Sequence, residues 1–334
     1  MNEKTIAQIL TEYPFVSDYF SLNKLDVTGY ESMTFPLFLE HFSPIELEDL
    51  AIDKESLLAD LPVFIQQMND FLGLDTSSLV HSLTILPGHD KTGVPEGFES
   101  LTVSSSQIIS IVGPTGSGKS RLLADLEWVA QGDTPTGRSI LINEEKPDNK
   151  WRFSSGNKLV AQLSQNMNFV MDLTVQEFLE LHAQSRLCDN ADTVIARIIE
   201  EANHLAGEQF RMDTPVTSLS GGQSRALMIA DTAILSTSPI VLIDEIENAG
   251  IDRKKALKLL VAEDKIVLMA THDPLLALIA DRRIVIRNGG IHRVLSTSEQ
   301  ERQLLEELEQ MDAVIQGARH KLRDGQTLSV EDLK

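Results

Sequence analysis

Apolar residues follow two rhythms along this chain. Three segments, "QIISIV" (107–112), "PIVLI" (239–243) and "KIVLMA" (265–270), are almost continuously apolar. That pattern suits parallel strands covered on both faces rather than strands with one wet side. After the first comes "RLLADLEWVA", and before the second comes the helical run "SRALMIADTAIL". Strands alternating with helices predict an α/β core. The front of the chain reads differently. "EKTIAQILTEYPFVSDYF" places Ile6, Ile9 and Leu10 on one helical face before Pro14. "SPIELEDLAI" and "KESLLADLPVFIQQMNDFLG" carry helix starts and apolar residues at i, i+3 and i+4. At the far end, "SEQERQLLEELEQMDAVIQGARHKL" aligns Leu304, Leu308, Met311, Ile315 and Ala318 on one stripe. This amphipathic helix either meets a second copy or covers the core. The expected organisation is an all-α segment 1–75, an α/β segment 76–295 and a helical extension 296–334, without repeats or low-complexity tracts.

The turn after the first strand is "GPTGSGKS", Gly113, Pro114, Thr115, Gly116, Ser117, Gly118, Lys119 and Ser120. Glycines at this spacing let successive backbone N–H groups curl around an anion, and the following helix aims its N-terminus at the same place. Lys119 is spaced to reach β- and γ-phosphates, and the Ser120 hydroxyl to ligate Mg²⁺. Glycine- and serine-rich turns are common, but the full eight-residue pattern between a strand and a helix points to a nucleoside triphosphate.

A second constellation narrows the class. "LSGGQ", Leu219 to Gln223, opens a helical run, and "PIVLIDE" ends in Asp244 and Glu245. With the phosphate turn, these motifs resemble the ATP-binding cassette (ABC) ATPase family over roughly residues 76 to 295. The resemblance implies a P-loop fold of ABC type: a mixed or parallel sheet core, an antiparallel β-subdomain containing "GRSILINEEKPD" as a hairpin, and a helical subdomain over about 166–225. It implies ATP and Mg²⁺ as ligands. Ser220, Gly221, Gly222 and Gln223 would serve the nucleotide held by a second ABC subunit, a second copy of this chain. Asp244 would hold Mg²⁺ with Ser120 and Gln165, and Glu245 would be the general base for the attacking water. Gln165, nine residues before Thr174 of "LTV", fits the family's glutamine better than Gln162 does. His272 in "ATHDP" matches the switch histidine.

Two features depart from the family pattern. "DEIENAGID" replaces the usual proline after the glutamate and resembles chromosome-maintenance and recombination-repair members, with Asn248, Ala249, Gly250 and Asp252 expected in a loop that crosses to the partner. An adenine-stacking aromatic is also missing upstream of the P-loop, where only His89 and Phe98 offer a ring.

Composition limits the partners. The 334 residues carry a formal charge of −21, and residues 1–75 hold 14 acids against three lysines and no arginine. Such a surface disfavours nucleic acid and anionic lipid, which both reward clustered Lys and Arg. One cysteine, Cys188, excludes an internal disulfide, and neither a signal peptide nor a membrane-spanning run is evident. Ten of the 17 aromatic residues lie before residue 73, enough for a small core or a docking module. The expectation is a cytoplasmic ATPase that remodels or reactivates an unidentified soluble protein. The rival is the energy subunit of a membrane transporter.

Overall fold

The computed structural model describes residues 4–43, 53–72, 80–148, 151–152, 158–164, 168–188, 190–246 and 250–330. They fall into two compact units, one before and one after residue 77.

The first unit is helical. Helices α1 (Ile6–Glu12), α2 (Val16–Leu22), α3 (Phe35–Glu40) and α4 (Lys54–Leu72) surround a core of Ile6, Ile9, Val16, Tyr19, Phe20, Phe35, Phe38, Leu61 and Ile65. Thr5 and Gln8, spaced as a capping box, cap α1 reciprocally. Tyr19 is buried, and its hydroxyl donates to the Leu57 carbonyl at 3.0 Å, joining α2 to α4; burial pushes its pKa up to about 12. Pro62 sits within α4, where its missing N–H removes one helical bond. The helix expected for "SPIELEDLAI" falls almost wholly outside the described residues.

The second unit has two sheets. β1 (Ser82–Leu86), β2 (Leu101–Ser104) and β4 (Ser139–Ile142) form an antiparallel sheet in the order β2-β1-β4. β3 (Ile108–Val112), β5 (Val160–Leu163), β6 (Ile240–Asp244), β7 (Ile266–Ala270), β8 (Arg282–Arg287) and β9 (Gly290–Ser296) form a sheet ordered β5-β6-β7-β3-β8-β9, parallel except for β9. The helices are α5 (Lys119–Glu127), α6 (Val175–Ser185), α7 (Ala191–Leu205), α8 (Gly221–Ile234), α9 (Arg253–Ala262), α10 (Pro274–Ile279) and α11 (Glu299–Arg323).

The apolar strands are buried on both faces for an identifiable reason. Val241, Ile243, Val267 and Met269 face a core built with α6 to α9, whereas Ile240, Leu242, Ile266 and Leu268 share a second core with α5 and the antiparallel sheet. The hairpin expected at "GRSILINEEKPD" is present only in its tightest form: Ser139–Ile142 is a strand paired with β1, and a two-residue turn at Asn143 and Glu144, both at positive φ, is closed by reciprocal bonds between Ile142 and Glu145. A loop residue supports that edge, because Asn143 Oδ1 accepts from the N–H groups of His81 and Ser82.

The C-terminal helix does not turn its apolar stripe onto the core of its own unit. Its polar edge holds the unit through Glu301 to Arg283 (2.5 Å), Glu309 to Lys254 (2.5 Å) and Asp312 to Arg253 (2.9 Å). Leu304, Met311, Ile315 and Leu322 stay about half exposed or more.

Lys265 enters β7 only 7 % exposed, donating to the Ser236 and Ser238 carbonyls at 2.6 and 3.0 Å. Burial lowers its pKa from 10.5 to about 8. Between those values the unfolded chain binds the extra proton, so stability rises with pH through this window, by at most about 3 kcal/mol. Thermal melts of wild type against Lys265→Met should therefore show wild type gaining relative stability from pH 8 to 10.5. A constant difference across that range would contradict the burial argument.

Candidate active site

The P-loop is shaped by its neighbours as much as by its own sequence. Gly118 caps α5 at φ +113°, and a Cβ there would lie 2.7 Å from the Gly289 Cα in the β8–β9 turn. A Cβ on Gly113 would lie 2.6 Å from the Ile286 carbonyl oxygen and 2.7 Å from Ser117 Oγ. The first backbone donors bonded within α5 are Arg121 and Leu122, both to the Gly118 carbonyl. The N–H groups just before them, at Gly118, Lys119 and Ser120, are those that a helix start leaves for an anion. The Ser117 hydroxyl is buried without a hydrogen-bond partner in the described structure. Gly289 N–H donates to the Ser117 carbonyl at 2.6 Å, and Lys91 Nζ donates to the Gly116 carbonyl at 3.2 Å, so two distant segments clamp the loop.

Sheet order brings the remaining groups to the same edge. β6, β7 and β3 are adjacent, and their carboxyl ends carry Asp244–Glu245, Thr271–His272 and the P-loop respectively. Glu245 adopts φ +52°, uncommon for a glutamate, and is held there by its N–H donating to Ala270 at 3.0 Å. Lys119 Nζ donates to the Gly113 carbonyl at 2.9 Å and lies 3.1 Å from His272 Nε2. An ammonium has only donors, so this contact requires the neutral His272 tautomer with its proton on Nδ1. Glu245 Oε1 stands 3.6 Å from the same Nε2, near but beyond hydrogen-bonding distance. Ser120 is exposed in the first turn of α5. Gln165, Asn248 and Ala249 lie outside the described residues; Gln162 is an exposed residue of β5.

The LSGGQ segment begins α8. Ser220 is its N-cap, and Ser220 and Gln223 bond reciprocally: Ser220 N–H donates to Gln223 Oε1 at 2.9 Å, and Gln223 N–H donates to Ser220 Oγ at 3.3 Å. Gln223 Nε2 also reaches the Glu208 and Gln209 carbonyls at 3.3 Å. Its amide thus braces the turn, while Ser220 and Gly221 stand exposed. The loop expected to cross to a partner is, at Gly250 to Asp252, tied to its own chain. Ile251 bridges to Ala206, Asp252 N–H donates to Leu205, and Asp252 caps α9.

Two ionic connections escaped the sequence reading. Arg138, 0 % exposed, bonds Glu96 at 2.6 Å, Asp125 of α5 at 2.8 Å and the Gly289 carbonyl at 2.9 Å. Arg253 pairs with both Asp273, next to His272, and Asp312 of α11. Partners this far apart in sequence leave no periodic signal. Phe98 packs against the core beside the antiparallel sheet, and His89 is exposed with its ring bonded to Asp90, so neither residue identifies an adenine platform.

These residues fit a phosphate chain: a cradle that a Cβ would fill, unbonded helix-start amides, a buried spare hydroxyl and a lysine. Among the described residues no group of three His, Cys, Asp or Glu forms a metal cage. Mg²⁺ suits such a site, because it keeps several waters and takes phosphate oxygens with one or two protein ligands. The fold and this edge define a P-loop ATPase.

The chain belongs to the ABC ATP-binding protein family. The family model described as ABC transporter matches residues 99–248. An uncharacterized ABC transporter ATP-binding protein of Methanocaldococcus jannaschii is 48 % identical over 254 residues, 76 % of this chain and 97 % of that one. A thiamine import ATP-binding protein of Haemophilus influenzae is 31 % identical over 218 residues, 62 % of this chain and 94 % of its own. The solved structure of an ATP-binding subunit of an ABC transporter shares the fold, with a TM-score of 0.51 at 19 % identity, covering 66 % of this chain and 92 % of that one. This protein is accordingly an ATP hydrolase that uses ATP with Mg²⁺.

Gly118→Ala tests the cradle. The left-handed backbone and the 2.7 Å approach to Gly289 force the loop to move. ATP affinity should fall by about tenfold or more, measured by calorimetric titration, while the fold is kept. Unchanged affinity would mean that the Gly118–Gly289 contact does not shape the site.

Proposed function

We propose that the chain hydrolyses ATP as a pair of copies, each P-loop completed by the other copy's Ser220, Gly221 and Gly222. What supports this most is the convergence of Lys119, His272 and Glu245 at one sheet edge, with the LSGGQ turn of the same chain on a separate helix start. In this reading Lys119 and the 113–120 backbone hold the phosphates, with Ser117 Oγ facing the same cradle. Ser120, Asp244 and Gln165 would hold Mg²⁺, which neutralises phosphate charge when bound. Glu245 accepts the proton of the attacking water, which adds to the γ-phosphorus as the bond to ADP breaks. His272, beside Lys119, is placed to donate to a γ-phosphate oxygen with the proton on Nε2, its contact with the Lys119 ammonium then giving way to the phosphate.

Lys119→Ala should lose ATP binding, whereas Glu245→Gln should bind ATP and turn over about 100-fold more slowly or worse, because only the latter acts on water. Lys119→Ala and Ser220→Arg should each be inactive, yet mixing them should restore hydrolysis, since one composite site then has an intact P-loop and an intact LSGGQ turn. A mixture as inactive as its components would sink the shared-site reading.

The work coupled to hydrolysis is, in this proposal, remodelling of a soluble protein in the cytoplasm, held by the first unit. The support is that residues 1–75 form a unit with a core of its own and an acidic composition, 14 acids against three lysines, which suits holding a separate protein. A specific observation favours the transporter reading as the second choice: Val170 and Met171, just after the Gln165 segment, are 94 % and 49 % exposed, an apolar knob suited to a membrane subunit. The relatives' names point the same way. Removing residues 1–75 decides between them. Basal ATP hydrolysis should persist, because every proposed catalytic position lies beyond residue 112, while co-purification of a soluble partner should be lost. Recovery of an integral membrane protein with both forms, lost instead on Val170→Glu, would establish the second reading.

A further inference from the structure

The C-terminal helix presents an apolar seam that its own unit leaves open. Leu304, Leu308, Met311, Ile315, Ala318 and Leu322 recur at steps of four and three, the spacing of a coiled-coil seam. α11 meets its unit along a different edge, through the Glu301, Glu309 and Asp312 ion pairs, while Leu304, Met311, Ile315 and Leu322 are 50, 62, 48 and 58 % exposed. A helix covering a core would turn this stripe inward. Here the polar edge is spent on attachment, and the seam stays open along Leu304, Met311, Ile315 and Leu322, with Leu308 and Ala318 part-buried at its edges.

We propose that the seam pairs with α11 of a second copy, antiparallel, making a dimer that needs no nucleotide. Charge complementarity chooses both occupant and direction. Glu307 and Lys321 flank the same side of the seam, fourteen residues apart. Run antiparallel about a two-fold axis near residue 313, the seam sets Leu304 against Leu322 of the second copy and Met311 against its Ile315. The flank sets Glu307 against Lys321 twice, once at each end. A parallel pair would instead bring Glu307 toward Asp312 of the second copy twice, whereas the antiparallel pair opposes Asp312 to Asp312 once, each already paired with Arg253 of its own chain. An anionic lipid surface fits poorly, because the turns beside the exposed stripe carry Glu306, Glu307 and Glu309.

The consequence for catalysis rests on the shared-site reading above. Asp312 is paired with Arg253, and Arg253 with Asp273 next to His272, so a paired α11 is anchored directly behind the switch histidine of each copy. Pairing would keep two half-sites at high effective concentration between turnovers. The dimer itself stands independently of that reading.

Sedimentation equilibrium of the full chain without nucleotide tests the pairing. Wild type should be dimeric, and Met311→Glu with Ile315→Glu should weaken association by about 30-fold or more, since two buried positions at the centre of the seam acquire charge. Glu307→Lys should also weaken it, and adding Lys321→Glu should restore it; that rescue separates a specific antiparallel pair from a general loss of fold. Wild type that is monomeric without nucleotide, or a dimer indifferent to the seam charges, would overturn the proposal. A nucleotide-free dimer combined with failure of the Lys119→Ala and Ser220→Arg mixture would leave the pairing intact and remove the shared-site reading instead.

Discussion

The arrangement depends on one buried guanidinium. Arg138 is fully enclosed, and its nitrogens join Glu96, Asp125 and the Gly289 carbonyl. These partners belong to three different pieces: the loop after β1, the helix behind the P-loop, and the β8–β9 turn that presses on Gly118. Glu96 is bound further by the N–H groups of Gly88 and Ile291, and Asp125 by the Thr136 hydroxyl. Charges out of water require this degree of pairing, and removing one partner of such a cluster costs about 3–5 kcal/mol. The phosphate cradle is therefore a property of the assembled unit. Gly289 can crowd Gly118 because Arg138 holds it there.

The same constraint explains what could be read from sequence. The apolar runs of β3, β6 and β7 were legible because burial on both faces leaves no polar positions, and the P-loop, LSGGQ and Asp244–Glu245 were legible because local chemistry fixes their spacing. The P-loop's support was not: Arg138 and Glu96 are 42 residues apart and Arg138 and Gly289 are 151 apart. Gln223 carries two meanings in the sequence. Three residues after Ser220, it matches both a nucleotide-binding motif and a capping box, and the geometry commits its amide to the cap. The stripe on α11 was legible as a pattern, but its direction was decided by acidic residues one helical edge away, which pair with Arg283, Lys254 and Arg253.

One of the positive-φ residues outside glycine falls where the chemistry is expected. Glu245 holds a left-handed backbone at a cost of about 1 kcal/mol or more, and glycine would relieve it. The position keeps its carboxylate because the β6–β7 ladder continues one residue past the strand, through Glu245 N–H to Ala270. His272 is fixed from the other side, since Thr271 N–H donates to Ile111 of the P-loop strand at 3.2 Å. The acid and the histidine are thus set by backbone hydrogen bonds between adjacent strands, and the lysine by its place at the start of α5.

Arg253 gives this rigid edge its connection to the rest of the unit. It starts α9, directly after the Gly250–Asp252 segment tied to Ala206 and Leu205, and its guanidinium joins Asp273 to Asp312. Residues 250–252 are thus linked through Arg253 to Asp273 and the loop carrying His272. Asp273 also caps α10 through Leu275 N–H. The helical half, the loop carrying His272 and α11 are therefore joined at one largely buried side chain shared between two carboxylates.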